Sequence, residues 1–192
     1  MNIRASICLA SLLSAAACAA AAPDAVRLSG AQAATSALPT TATADLAGND
    51  GRAVGTVTLA EGPRGVVVRV EGRGLPPGWH GIHFHAKGDC SDPKFERAGG
   101  HTHGGEKSVH GLLNPAATDT GDLPNVHVAA DGSLKAELFS SFVGFGVEGG
   151  RQNLADADGS AVLIHANADD HRSQPIGGAG ARIACGVLKP GR

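Results

Sequence analysis

Short runs in which apolar and polar residues alternate follow one another from about residue 40 to the C-terminus, without the 3.6-residue period of a helix. Such alternation predicts β-strands with one buried face. Turn residues separate the runs, as at 49–51 between the first two. The predicted strands are residues 41–46, 53–59, 65–70, 80–85, 125–128, 134–138, 160–165 and 182–188. Short strands at this spacing predict an all-β fold, an antiparallel sandwich or barrel.

Two long loops interrupt the predicted strands. Residues 88–123 contain no convincing strand or helix, and a polar loop follows at 167–180. A structureless segment of this length inside a small domain is usually functional. The first loop contains Cys90, His101, His103, His110, Asp119 and Asp122, so we expect metal and disulfide bonds to substitute there for a regular backbone ladder.

The N-terminal segment predicts export. Arg4 precedes an apolar run at 7–13 and an alanine-rich end, which is typical of a signal peptide over 1–22. The apolar run is too short to span a bilayer, so we expect membrane attachment only if Cys18 is lipidated. Residues 23–39 are interpreted as a flexible linker and 40–192 as the folded domain. The predicted location is the periplasm.

Composition indicates the cellular compartment but says little about binding partners. The net charge is −2, aromatic residues make up 3% and mean hydropathy is −0.01, which indicates a soluble protein with no bias toward nucleic acid. Of the four cysteines, Cys8 and Cys18 lie in or beside the predicted signal peptide. The remaining pair, Cys90 and Cys185, predicts one disulfide in an exported protein.

The strongest candidate chemistry in the strands is the HxH motif of residues 83–85. His83 and His85 project from the same face of a strand and can bind one metal ion together, while Ile82 and Phe84 face the core. His80 falls on the opposite face from His83, so we expect a structural, hydrogen-bonded role for it.

Six stretches in order from residue 80 onward resemble the exported bacterial copper–zinc superoxide dismutase family. They are HGIHFH (80–85), AGGH (98–101), HG (110–111), GDLPN (121–125), HANADD (165–170) and GARIACGV (180–187). The resemblance implies an antiparallel Greek-key β-sandwich or barrel of about eight strands, copper and zinc as cofactors, and superoxide as substrate. Members of this family are dimers or monomers, so a homodimer is left open.

The resemblance also implies the site residues. The implied copper ligands are His83, His85, His101 and His165. The implied zinc ligands are His101, His110, Asp119 and Asp122. His101 would bridge both metals and carry a proton during catalysis. Arg182 would attract and orient the anion, and Asp169 would accept hydrogen bonds from His83 and His110. Cys90 and Cys185 match the family disulfide.

Asp119 departs from the family pattern, which most often has histidine at this position. A carboxylate can ligate zinc, so Asp119 is predicted as a ligand. The alternatives are that His103 supplies the third nitrogen or that the zinc site is weak or empty. Two other functions follow: a copper-only dismutase, or a periplasmic copper-binding module of low activity.

Three basic side chains are not assigned to the metal sites. His127 alternates with valines and is predicted to lie on the sheet surface. His171 and Arg172 lie in the second loop, where Arg172 is either an anion guide or a solvated loop charge.

Overall fold

The structure, a computed structural model, describes residues 41–103, 108–146 and 150–191. Its strands are β1 (Thr41–Gly48), β2 (Ala53–Gly62), β3 (Gly65–Gly72), β4 (Gly78–His80), β5 (Ile82–His85), β6 (Val126–Val128), β7 (Leu134–Ser140), β8 (Val143–Gly144), β9 (Gln152–Asn153), β10 (Ala161–His165), β11 (Arg182–Val187) and β12 (Lys189–Pro190). The predicted signal peptide, its Cys18 and the linker lie outside the described residues and stay predictions. No helix in the described ranges is long and apolar enough to cross a membrane.

One curled antiparallel sheet dominates the fold. Its strand order is β5-β10-β11-β1-β2-β3-β7, and β12 pairs with β1. Two short pairs stand apart from it, β4 with β6 and β8 with β9. The first three strands form a meander. Strand β7 pairs with β3, and β11 pairs with β1, although long segments of chain separate the strands of each pair. The predicted all-β antiparallel fold is confirmed.

Strand β10 is buried on both faces. Val162 and Ile164 belong to the main core, while Ala161 and Leu163 pack in a smaller cluster with Cys185. Burial on both faces explains why this strand is a continuous apolar run instead of an alternating one. The strand ends at His165 and carries that side chain into the interior.

Strand β5 has the two faces that alternation predicts. Ile82 and Phe84 lie in the core, and His83 and His85 project from the other face, where they are also buried. The free edge of β5 is covered by the long loop, because Phe84 pairs its main chain with Thr102 and Gly121. The described residues of the loop therefore pair with the edge of β5 and do not form a longer strand of their own. This pairing brings the side chains of the loop over the histidines.

The prediction of one strand over 80–85 is wrong at Gly81. Here the chain leaves its pairing with β6 and begins a new pairing with β10. Gly81 bonds through its main chain to Asn167 and His165, both at 2.8 Å. A Cβ at this position would lie 3.0 Å from the Cβ of Ala179. The close approach of three segments therefore requires glycine.

A disulfide joins Cys90 to Cys185, as predicted, with 5.9 Å between the Cα atoms. It connects the start of the long loop to β11 across 95 residues. The loop is thus anchored at one end by a covalent bond and along its length by β5.

Candidate metal centre

Four histidines from three parts of the chain converge. His83 and His85 come from β5, His165 from the end of β10, and His101 from the long loop. Each offers one ring nitrogen, and these nitrogens lie within 4.8 Å of one another. All four side chains are buried. The structure therefore brings together the whole set of predicted copper ligands.

The second ring nitrogen of each histidine has a defined partner. His85 Nδ1 donates to the Gly99 carbonyl at 2.9 Å, and His165 Nδ1 donates to the Gly180 carbonyl at 3.1 Å. Because a carbonyl only accepts, the hydrogen of each ring lies on Nδ1, and the lone pair lies on Nε2. His83 has the opposite arrangement, with Nε2 bonded to a carboxylate oxygen of Asp169 at 2.8 Å.

The nitrogens left over are the decisive feature of this group. His83 Nδ1 and the Nε2 atoms of His85, His101 and His165 are buried and have no hydrogen-bond partner among the described residues. Buried polar atoms without partners are costly and rare. Four of them in one cluster indicate a site whose missing partner is a metal ion.

A second group adjoins the first through His101. His101 Nδ1 lies 2.9 Å from Asp119 and 3.1 Å from Asp122, and His110 Nδ1 lies 2.7 Å from the same Asp122 oxygen. The other Asp122 oxygen accepts from the Gly111 amide at 2.7 Å. Each predicted zinc ligand therefore contacts His101 or Asp122.

Asp119 and His103 are neighbours at the edge of this group. They pair as an isolated β-bridge, and Asp119 is buried with Oδ2 directed at His101 while Oδ1 accepts from the Gly121 amide at 2.9 Å. Four residues on this side have ligand atoms within 4.8 Å of one another: His83, His101, His110 and Asp122. Whether Asp119 or His103 ligates zinc stays a prediction.

Three histidines of the first group, His83, His85 and His165, are neutral. Burial lowers the pKa of His83 to about 4, although Asp169 partly offsets it, and burial lowers the pKa of His165 to about 3. Burial and the neighbouring cations, including Arg182, hold the pKa of His85 well below its usual value. These rings are therefore unprotonated at pH 7, the form in which imidazole binds metal.

The second group has the opposite electrostatics. Burial alone would lower the pKa of His110, but hydrogen bonds to Asp122 and Asp169 outweigh it and raise that pKa to about 10. The pKa of His101 is also raised, because Asp119 and Asp122 outweigh its burial. Burial would raise the pKa values of Asp122 and Asp169, yet their hydrogen bonds from the histidines hold them well below the usual range. The buried ionised carboxylates attract positive charge.

Asp169 connects the two groups, as predicted. Its Oδ2 accepts from His83 at 2.8 Å and its Oδ1 from His110 at 3.0 Å. Asn125 holds the main chain of Asp169 through two 2.8 Å bonds, one to its N–H and one to its carbonyl. The predictions did not assign a role to Asn125, although it ends one of the family-like stretches.

Arg182 lies at the start of β11 and is half-buried. Its guanidinium donates to the carbonyls of Phe95 and Gly99, the second at 2.5 Å. The Gly99 carbonyl is also the acceptor for His85. In the part of the chain that the structure describes, Arg182 makes no salt bridge, although Asp92 and Glu96 lie near enough to interact with its charge. It lines an open surface depression of about 600 Å³ together with Lys94 and Gly180.

Comparison with known proteins identifies the family. A sequence profile described as "Copper/zinc superoxide dismutase (SODC)" matches residues 53–188. This chain belongs to the copper/zinc superoxide dismutase family.

Individual relatives agree. The chain is 56% identical over 148 residues to "Superoxide dismutase [Cu-Zn]" of Caulobacter vibrioides, covering 77% of this chain and 85% of that protein. The crystal structure of a superoxide dismutase-like protein from Bacillus subtilis is 35% identical, with a TM-score of 0.70, covering 77% of this chain and 97% of that one. The Cu/Zn superoxide dismutase from Brucella abortus is 30% identical, with a TM-score of 0.62, covering 78% and 99%.

Copper and zinc, the metals of this family, fit the two groups. A set of four imidazole nitrogens suits Cu(II), and the four unpartnered nitrogens of the first group are such a set. Mixed imidazole and carboxylate ligands suit zinc, and the second group offers both types at contact distance.

Two further histidines, His80 and His127, have their own partners. His80 is buried, with its ring between the carbonyls of Pro76 at 2.8 Å and His165 at 2.7 Å, which is a structural role. His127 is exposed on β6 and contacts the ring of Trp79, with centroids 4.9 Å apart. Both are outside the two candidate ligand groups of the described residues.

Proposed function

We propose that this protein is a superoxide dismutase that converts two superoxide anions and two protons into oxygen and hydrogen peroxide. The proposed copper ligands are His83, His85, His101 and His165. The proposed zinc ligands are His101, His110, Asp119 and Asp122. The observation that carries the proposal is the cluster of four buried imidazole nitrogens without protein partners. Copper supplies the one-electron oxidation and reduction of superoxide, and zinc fixes the position of His101 without redox chemistry of its own.

His101 is the proposed proton carrier. Its Nδ1 is held by Asp119 and Asp122, whereas its Nε2 is buried and has no partner among the described residues. Nε2 is thus the atom that can accept a proton and release it to the peroxide product. The surrounding carboxylates favour the protonated ring, which suits this role.

Arg182 is the proposed anion guide. The chain has a net charge of −2, so attraction of superoxide has to be local. The guanidinium is fixed by two main-chain carbonyls and shares the Gly99 acceptor with His85. This arrangement holds a cation that has no salt-bridge partner among the described residues beside the proposed copper ligands.

One experiment separates the candidate functions: copper and zinc per chain are measured together with superoxide-dependent activity on the same purified sample. Bound copper and zinc with activity support the proposal. Copper with activity and no zinc supports the copper-only dismutase. Asp119, at a position where the family most often has histidine, makes that alternative worth testing. Copper without activity indicates a copper-binding module.

We also propose export to the periplasm. The leader pattern at 1–22 and the disulfide between Cys90 and Cys185 support this location, because disulfides persist in oxidising compartments. Cell fractionation and the mass of the mature chain test it. A lipid on Cys18 would place the protein at the membrane instead. Light scattering of the purified protein distinguishes a monomer from a homodimer.

A further inference from the structure

The main chain of His110 is held by a side chain from the other loop. Gln174 Oε1 accepts from the His110 N–H at 2.9 Å, and Gln174 Nε2 donates to the His110 carbonyl at 2.8 Å. Both bonds go to one residue that is 64 positions away. The pair of bonds also fixes the amide orientation, because only one end of the amide donates.

These two side-chain hydrogen bonds, called the Gln174 clamp below, take the place of the main-chain hydrogen bonds of a sheet. His110 lies in the irregular part of the long loop. Its N–H and carbonyl have as partners the side chain of Gln174, with a further bond from Asn114 Nδ2 to the carbonyl at 3.2 Å. A strand residue would be positioned by its neighbours in the sheet. His110 is positioned by an amide group instead.

Gln174 projects from a turn that is itself well braced. Asp170 Oδ1 accepts from the amides of Arg172 and Ser173, both at 2.8 Å. The turn closes where Gly177 donates to the Ser173 carbonyl at 2.7 Å and accepts from the Asp170 amide at 2.9 Å. A preorganised turn loses little entropy when its side chain holds another loop.

The two loops also meet through glycines beside His110. A Cβ on Gly111, whose φ is +120°, would lie 2.4 Å from the His171 carbonyl oxygen. A Cβ on Gly177 would lie 2.9 Å from His110 Nε2. There is no room for a larger residue at either contact. The second loop is therefore packed directly against His110 and Gly111.

We propose that Gln174 is a positioning residue for zinc, which acts by fixing the main chain of His110. This inference rests on the proposed zinc site. The His110 ring is already held at both nitrogens, by Asp122 and Asp169. Gln174 supplies the remaining restraint, on the main chain from which the ring projects.

The test compares Gln174→Met with Gln152→Met in the full mature chain. Methionine keeps the length of glutamine but removes the two hydrogen bonds to His110, together with the 3.2 Å bond from Gln174 Nε2 to the Arg172 carbonyl. Gln174 is exposed, so its replacement leaves the core intact, and Gln152 is a glutamine in β9 that has no side-chain bond to the metal loop among the described residues. Zinc affinity is measured by competition with a chromophoric chelator. Loss of a residue that orients a metal ligand typically weakens binding about 10–100-fold. We expect about tenfold for Gln174→Met, because its bonds are partly solvated, with copper affinity unchanged within about twofold.

A second readout does not need zinc. In the metal-free protein, Gln174→Met removes the acceptor of the His110 amide. We expect hydrogen exchange at that amide to become at least about tenfold faster, as the bond no longer protects it. In Gln152→Met it should match the parent protein.

Three results overturn the inference. Equal zinc affinity in the parent and in Gln174→Met overturns the inference about Gln174 but leaves the proposed zinc site supported. Equal weakening of copper and zinc overturns it, because the effect would then be general. A parent protein that does not bind zinc overturns both this inference and the zinc half of the proposed function, whatever the exchange rate at His110.

Discussion

Neutralising Arg182 is the sharpest test of how this fold attracts its substrate. The Gly99 carbonyl accepts from Arg182 Nη2 at 2.5 Å and from His85 Nδ1 at 2.9 Å. These two distances add to 5.4 Å, which is the upper limit of the separation between the two nitrogens. The charge of Arg182 therefore lies close enough to the proposed copper ligand His85 for one small anion to contact both.

We take the same length as the distance between the guanidinium and a superoxide anion bound beside it. Two unit charges about 5.4 Å apart interact by about 0.8 kcal/mol at a dielectric constant of 80 and by about 3 kcal/mol at 20. Arg182 is partly exposed to solvent, so screening favours the lower value. Removing the charge in Arg182→Gln should then lower kcat/KM about fourfold, and reversing it in Arg182→Glu should lower kcat/KM more than tenfold.

The assay is the rate of superoxide removal at low and high ionic strength, on samples of equal copper content. Added salt should slow the parent protein, slow Arg182→Gln less, and accelerate Arg182→Glu. Arg182→Lys keeps the charge but cannot bond to both carbonyls in the same way, so it separates charge from positioning. If Arg182→Gln at low salt is as fast as the parent, Arg182 has no part in attracting the anion.

Three further outcomes are expected. Asp119→Ala should lower zinc content and leave copper in place, and Asp119→His should restore zinc; full zinc content in Asp119→Ala would show that Asp119 is not a ligand. Replacing both Cys90 and Cys185 by alanine should lower the free energy of unfolding by about 4–5 kcal/mol in urea titrations, because the disulfide closes a loop with a sequence separation of 95. A loss below about 1 kcal/mol would contradict this. In the metal-free protein, the folded-state pKa values of His83 (about 4) and His165 (about 3) lie below the unfolded value of about 6.5. The unfolded chain therefore binds more protons between these values, and the melting temperature should fall as the pH drops from about 6.5 to 4; an unchanged melting temperature at pH 4.5 would refute the assignment.

Much of the fold and the pairing of His83 with His85 could be predicted because they depend on local pattern, whereas the other ligands were implied by the resemblance to the family. Alternation over 82–85 places Ile82 and Phe84 in the core and His83 and His85 on the other face, and β5 has this arrangement. The cysteine count predicts the single disulfide that the structure contains. Side-chain chemistry and a two-residue period are properties of the chain itself.

Only the tertiary structure decided which atoms are available. Gly99 and Gly180 fix the tautomers of His85 and His165 through main-chain carbonyls, and every residue has a carbonyl, so no residue type in the sequence marks these two. The clamp of Gln174 on His110 joins residues 64 positions apart, and it exists because two loops meet over the edge of β5. The sequence by itself determined which residues can bind metal, by their chemistry and strand period. Tertiary packing decided which nitrogen of each ring is free, because hydrogen bonds to distant main-chain atoms select it.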